Sequence, residues 1–315
     1  MPDTLSRFLG GLQKNVSLKK YTTFRIGGNA KYFFIARTIP LVIKAIKVAR
    51  DLRTPFFILG GGSNLVVSDK GFSGLVVHIQ TKKYRIEAGK FFCEAGVSMA
   101  TLVKETGKRG LSGFEWAGGL PGSVGGAIRG NAGAFKGEIK DNILWVIALD
   151  KKGREKLFLR NRCKFSYRSS LFKEKGLVIL SAAFSLKKGN KRAIQSIAAD
   201  HIAYRKERHP LEYPNAGSVF KNCDLKKFSL ALQKKLQPAV KIDPFPVVPT
   251  AYLNDQAGLK GVRQNAIQVS VKHPNCMVNL GKGKAKDVIL LMQKVKKIIK
   301  KKFGVELEQE IEFVE

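Results

Sequence analysis

Apolar positions along this chain fall into two rhythms. Leu41, Val42, Ala45, Ile46, Ala49 and Leu52 recur at helical spacing behind Pro40, which suits a first helical turn, and Pro55 stops the run. Ser98 is placed to cap a second helix through Met99, Leu102 and Val103 that ends near residues 107–110. A third helix is predicted over residues 191–207, stopped by His209-Pro210. The clearest helix spans residues 284–303. Val288, Met292, Val295 and Ile299 line one face, Leu291, Ile298 and Phe303 widen it, lysines cover the remainder, and Gly304 closes it. Short strands are predicted at 31–37, 56–58, 65–67, 74–79, 177–186, 269–271 and 277–280, with hairpins turning at Ala88-Gly89 and Lys152-Gly153. Apolar residues at 305, 307, 311 and 313 predict a closing strand over 305–314. Strands dominate the first part of the chain, which predicts an α+β fold on mixed or antiparallel sheets.

Two runs break both rhythms. EWAGGLPGSVGGAIRGNAGA, from Glu115 to Ala134, contains seven glycines, and LGGGSNLVV, from Leu59 to Val67, contains three in succession. Such stretches carry too few side chains to build a core and too much backbone freedom to be retained without a use. Their bare N–H groups suit close approach of the main chain to a flat or anionic ligand. Neither run is G-x-x-x-x-G-K-[ST] or a G-x-G-x-x-G that opens a helix after a strand, which excludes the common P-loop and dinucleotide fingerprints.

The 315 residues leave room for two or three domains, and no apolar run approaches the length of a membrane span. With no secretory leader pattern at the N-terminus, the chain is expected in the cytoplasm. The four cysteines (93, 163, 223 and 276) and four histidines (78, 201, 209 and 273) are scattered, with no metal-ligand spacing and no Ser-His-Asp constellation. The net charge of +33, from 57 Lys and Arg against 24 Asp and Glu, is the one feature that points to nucleic acid. The basic residues are dispersed rather than gathered on one arm, and aromatics are not interleaved with them, so an anionic small molecule is the preferred partner.

Several strings occur in a fixed order: YTTFRIGG at 21–28, LGGGSNLVV, GGLPGSVGGAIRGNAGA, FSYR at 165–168, PNAGSVFKN at 214–222, AGLKG at 257–261 and LEQEI at 307–311. In that order they resemble the UDP-N-acetylenolpyruvoylglucosamine reductases, flavoproteins of the vanillyl-alcohol-oxidase type, across nearly the whole chain. The resemblance implies an FAD-binding domain of this type (the PCMH type) over residues 1–190, built of two α+β subdomains split near residue 70. A smaller α+β substrate-binding domain would follow over 191–315, its last strand returning to the FAD domain. It implies a monomer that carries FAD and takes hydride from NADPH. Its substrate would be the enolpyruvyl ether of a UDP-sugar, reduced in a cell-wall precursor step. An FAD oxidase of the same superfamily and a basic nucleic-acid-binding protein are the alternatives.

The resemblance also assigns residues. Arg168 would neutralise the substrate carboxylate and the charge that develops on it, Ser218 would give a proton to carbon, and Glu310 would act with Arg168 on the intermediate. Glu308 and Glu312 stand at the same alternation as Glu310 and compete for its role. Tyr167, Lys221 and Asn222 would contact the substrate. For FAD, Gly60, Gly61, Gly62, Ser63 and Asn64 would wrap the pyrophosphate. Gly119, Pro121, Gly122, Ser123, Gly125, Gly126 and Ala127 would follow the flavin arm, with Asn131 and Ala132 further along it. The chain departs from the family pattern at Arg129-Gly130, Cys223 and Asn254-Asp255, none of which is a catalytic candidate.

Overall fold

The computed structural model of the protein describes residues 4–315 and divides into two compact units. The first comprises residues 4–16, 30–61 and 73–204 of those described; the second comprises 17–29, 62–72 and 205–315. Neither is a continuous stretch of chain.

The first unit is built on two sheets. One has four strands in the order Gln13–Ser17, Asn29–Ala36, Phe72–Ile79 and Phe56–Leu59, with the last two parallel. Helix Ile39–Asp51 buries Val42, Ala45, Ile46 and Ala49 in the same core as Tyr32, Phe34, Leu75 and Val77. Its start is fixed by the Thr38 hydroxyl, which accepts the Leu41 N–H at 3.4 Å. The other sheet has five antiparallel strands in the order Glu155–Leu159, Ile143–Leu149, Val178–Ser185, Lys90–Glu94 and Tyr84–Glu87. Its core takes in Phe91, Val146, Ala182 and Phe184 and covers helix Met99–Lys108 through Met99 and Leu102. Ser98 caps that helix through its Oγ, which accepts the Thr101 N–H at 3.0 Å.

The second unit has one core around helix Ala285–Phe303, whose Val288, Leu291, Met292, Val295 and Ile299 are buried. Its first turn is capped across the unit, since both carboxylate oxygens of Asp69 accept from the N–H groups of Ala285 and Lys286, at 2.9 and 3.1 Å. Gly304, at φ 68°, ends the helix in the left-handed conformation. Against this helix lies an antiparallel sheet in the order Asn215–Ser218, Cys276–Asn279, Ile267–Val269 and Arg263–Gln264. Phe24 and Ile26 from one segment and Val66 from another complete the core with no exposure.

The closing stretch differs from the sequence expectation. Only Glu312–Val314 forms a ladder, in parallel with Leu65–Val67. Val305, Leu307 and Ile311 keep the buried side of the predicted alternation. Their backbone instead forms a strap that meets residues 219–221 at one isolated antiparallel bridge, Phe220 opposite Gln309, flanked by bonds of Glu308 and Glu310.

Candidate active site

In the first unit the two glycine runs meet. A Cβ on Gly61 would lie 2.6 Å from the Gly122 Cα, and one on Gly60 would lie 2.5 Å from the Ser123 Oγ. Only bare backbone permits this approach. Gly119 and Gly122 have φ of 73° and 109°, so the second turn also requires glycine by conformation. Ser123 then caps the short helix Val124–Arg129, its Oγ accepting the Gly126 N–H at 3.4 Å. Gly125 packs on Ala95, and the Ala132 N–H bonds back to the Ala127 carbonyl at 2.8 Å. Beside the first turn, His78 hydrogen-bonds the Gly60 main chain, and burial holds its imidazole below the ordinary value. Among the described residues no protein acceptor takes the Gly61 N–H, and Gly61 is exposed. Gly126 is also exposed, with nothing closer to its Cβ position than the Ser123 Oγ at 3.5 Å. An unused donor at Gly61 and open glycine faces at Gly61 and Gly126 fit a flat anionic cofactor such as FAD.

A tight turn in the same unit carries Tyr167 and Arg168. It is closed by two backbone bonds between Ser166 and Ser169, at 3.1 and 3.2 Å. Arg168 occupies its second central position at φ 55°, where glycine or asparagine is usual. The guanidinium stacks over the Tyr167 ring at 4.9 Å and donates from Nη2 to the Gly133 carbonyl at 2.8 Å. A strained arginine braced by its neighbours is the pattern of a side chain held for use.

In the second unit the strap passes alongside Ser218. The Glu310 N–H donates to the Val219 carbonyl at 2.8 Å, and the Lys221 N–H donates to the Glu308 carbonyl at 2.8 Å. Ser218 follows Gly217, which has φ 74° and nothing within 4 Å of its Cβ position. Ser218 pairs in the ladder with Cys276. The Cys276 thiol is pushed up to about 12 by burial first and then by the charge of Glu310. The Cys276 Sγ also lies 3.4 Å from the His273 Nδ1. Glu308, in contrast, is 57% exposed and ion-paired with Lys221, which is itself only 15% exposed. The two glutamates therefore differ in position, Glu308 exposed at the rim and Glu310 half-buried with its main chain on Val219.

The remaining expected residues have mixed positions. Asn64 donates from Nδ2 to the Glu310 carbonyl at 3.1 Å, so its side chain serves the strap. Asn222 accepts the Thr250 N–H at 3.2 Å through Oδ1. Asn131 spends its side chain on protein partners, Glu138, Lys140 and Ser166. Two supports carry no sequence signal. Asn275 holds Phe220 by a bond to its N–H at 3.2 Å and one to its carbonyl at 2.8 Å, and Glu138 sits in the Asn131 network.

Residues 209–314 match the family described as UDP-N-acetylenolpyruvoylglucosamine reductase, C-terminal domain, and residues 30–156 match the FAD binding domain family. A reductase of that name from Clostridium novyi is 36% identical over 308 residues, covering 96% of this chain and 92% of the relative. The chain belongs to the UDP-N-acetylenolpyruvoylglucosamine reductase family. A relative of the same name from Carboxydothermus hydrogenoformans is 38% identical over 303 residues, covering 95% of this chain and 92% of its own length. The crystal structure of UDP-N-acetylenolpyruvylglucosamine reductase from Thermus caldophilus superposes with a TM-score of 0.76 at 29% identity, covering 95% of this chain and 98% of that one. Family membership brings with it the FAD-binding domain and the mixed α+β architecture. Among the described residues no helix is long and apolar enough to cross a membrane, and no cluster of metal-ligating side chains occurs.

Proposed function

We propose that this chain is the FAD-dependent reductase that uses NADPH to convert UDP-N-acetylglucosamine enolpyruvate to UDP-N-acetylmuramate, a peptidoglycan precursor. FAD, when bound, carries hydride from NADPH to one carbon of the enolpyruvyl double bond. What remains for the protein is to make an electron-rich enol ether accept that hydride and to supply a proton to the other carbon. Arg168 meets the first need, since a guanidinium can bind the substrate carboxylate through two parallel hydrogen bonds and offset the charge that grows there. Ser218 meets the second. A hydroxyl is a weak acid, but an enolate-like carbon is a strong base, and proton transfer from a positioned side chain contributes about 10²–10⁴-fold. Glu310 acts with Arg168 in stabilising the same intermediate. Tyr167, Lys221 and Asn222 contact the substrate. Gly60, Gly61, Gly119, Pro121, Gly122, Ser123, Gly125, Gly126, Ala127 and Ala132 hold FAD through main-chain groups, with Gly62, Ser63 and Asn64 continuing the first loop.

The observation that carries this reading is the seating of the Glu310 main chain on Val219, one residue from Ser218. The reading places the enzyme in the cytoplasm, with NADPH and nucleotide sugars, as a monomer.

The test is an anaerobic visible spectrum of the purified holoprotein. NADPH is expected to bleach the flavin and the enolpyruvyl UDP-sugar to restore it. Recovery with oxygen alone would keep the flavin and remove the substrate.

A further inference from the structure

Asn131 ends the short helix of the second glycine run, fully buried and at φ 41°. Its Nδ2 donates to the Ser166 carbonyl at 3.0 Å and to Glu138 Oε2 at 3.2 Å, and its Oδ1 accepts the Lys140 N–H at 3.1 Å. An amide has two protons to give, and both are taken. The group that orients Asn131 is itself fixed. Lys140 Nζ lies 2.6 Å from Glu138 Oε2, and the Glu138 N–H donates to Asp141 Oδ2 at 2.7 Å.

The Ser166 carbonyl is also the acceptor that closes the Arg168 turn, taking the Ser169 N–H at 3.2 Å. Two further bonds run between the same segments. Arg168 Nη2 reaches the Gly133 carbonyl at 2.8 Å, and the Ser170 hydroxyl donates to the Arg129 carbonyl at 2.7 Å. The stretch 129–133 therefore grips the loop 166–170 at three points. Asn131 and Ser170 are both buried, but of the three grips only that of Asn131 falls on the Ser166 carbonyl that closes the turn. A left-handed arginine at a turn tip relaxes readily unless its neighbours fix the turn.

We infer that Asn131 is a positioning residue for Arg168, setting the turn that aims the guanidinium, and that its side chain does not bind FAD. The inference rests on the role given to Arg168 under Proposed function. It concerns one half of the reaction. Losing Asn131 should slow transfer from reduced flavin to the enolpyruvyl sugar, where Arg168 works, and leave NADPH reduction of the flavin alone.

The experiment is a double-mutant cycle on the holoenzyme with Asn131→Ala, Arg168→Ala and the pair. Each half-reaction is followed anaerobically, and hydrogen exchange is measured at the Ser169 amide. Asn131→Ala is expected to slow flavin reoxidation by about tenfold or more, to leave NADPH reduction within about twofold, and to speed exchange at Ser169. In the Arg168→Ala background it should slow reoxidation no further, because residues acting as one unit are non-additive. Asn131→Asp has the same shape and keeps the acceptor for Lys140 while losing both donors. It should reproduce the pattern if the alanine variant does not fold. Equal slowing in both backgrounds would overturn the inference, as would slowed NADPH reduction with loss of FAD. If Arg168→Ala alone leaves reoxidation unchanged, the role of Arg168 itself fails, an outcome visible before any Asn131 variant is compared.

Discussion

The Glu310 N–H donates to the Val219 carbonyl at 2.8 Å, while two residues earlier Glu308 is turned outward to Lys221. Two glutamates of one strap are therefore distinguishable by function. Glu310→Gln is expected to slow reoxidation of reduced flavin by the enolpyruvyl sugar about 10²-fold. Glu308→Gln gives up an ion pair to a largely exposed carboxylate and should change the rate by less than about threefold. Stopped-flow measurement of both variants checks this, and the reverse ranking would move the catalytic role to Glu308.

Arg168 offers a case in which stability and activity separate. Replacing it by glycine relieves a left-handed backbone, worth about 1–2 kcal/mol for a non-glycine residue. It also removes a hydrogen bond to Gly133 worth about 0.5–1.5 kcal/mol. The two nearly offset, so Arg168→Gly should melt within a few degrees of the parent while substrate reduction falls by about 10²-fold or more. Calorimetry beside single-turnover kinetics reads both. A large drop in melting temperature would show that the guanidinium is mainly structural.

Gly126 tests for close approach of the cofactor. Alanine there meets only the Ser123 Oγ at 3.5 Å and improves a helix position by about 1 kcal/mol. The apoprotein of Gly126→Ala should be as stable as the parent or more so, yet bind FAD more weakly. Gly61→Ala should lose both, because its Cβ would meet the Gly122 Cα at 2.6 Å. Flavin titration with thermal melts of the apoproteins separates the two effects, and unchanged FAD affinity in Gly126→Ala would place the flavin elsewhere.

The second unit should weaken in mild acid. His209 is held at about 4, against an ordinary 6.5, by burial first and then by the charges of His273, Arg205 and Lys272. His273, stacked on it at 4.8 Å between ring centroids, is lowered mainly by burial. Below about 6.5 the unfolded chain takes up protons that the folded chain refuses, so stability falls as pH drops towards about 4. The melting temperature should therefore be lower at pH 5 than at pH 7.5, and His209→Gln should flatten that difference. An equal slope in the variant would assign the acid sensitivity elsewhere.

Helices with local punctuation were legible in the sequence. Ser98, Pro40 and Gly304 act through bonds or backbone angles within a few residues, and the elements they bound fall at or within two residues of the expected positions. The strap at 305–311 was not, because alternation reports which side of a chain is buried and not whether a partner strand runs beside it. The glycine runs could be read as close approaches, but not that they approach each other. Asn131 shows the limit most clearly. Its neighbours in sequence suggested a ligand contact, whereas its partners at Ser166 and Glu138 are chosen by tertiary packing that no local pattern encodes.

The second unit is interleaved in sequence, with Phe24, Ile26 and Val66 in a core otherwise supplied by residues beyond 205. On a ribosome adding roughly 5–20 residues per second, these side chains emerge ~10 s or more before the partners that bury them. During that interval the segments 17–29 and 62–72 carry Phe24, Ile26 and Val66 without the side chains that cover them. Nascent chains stalled before residue 216 should therefore be the form of this protein that chaperones hold and that aggregates first.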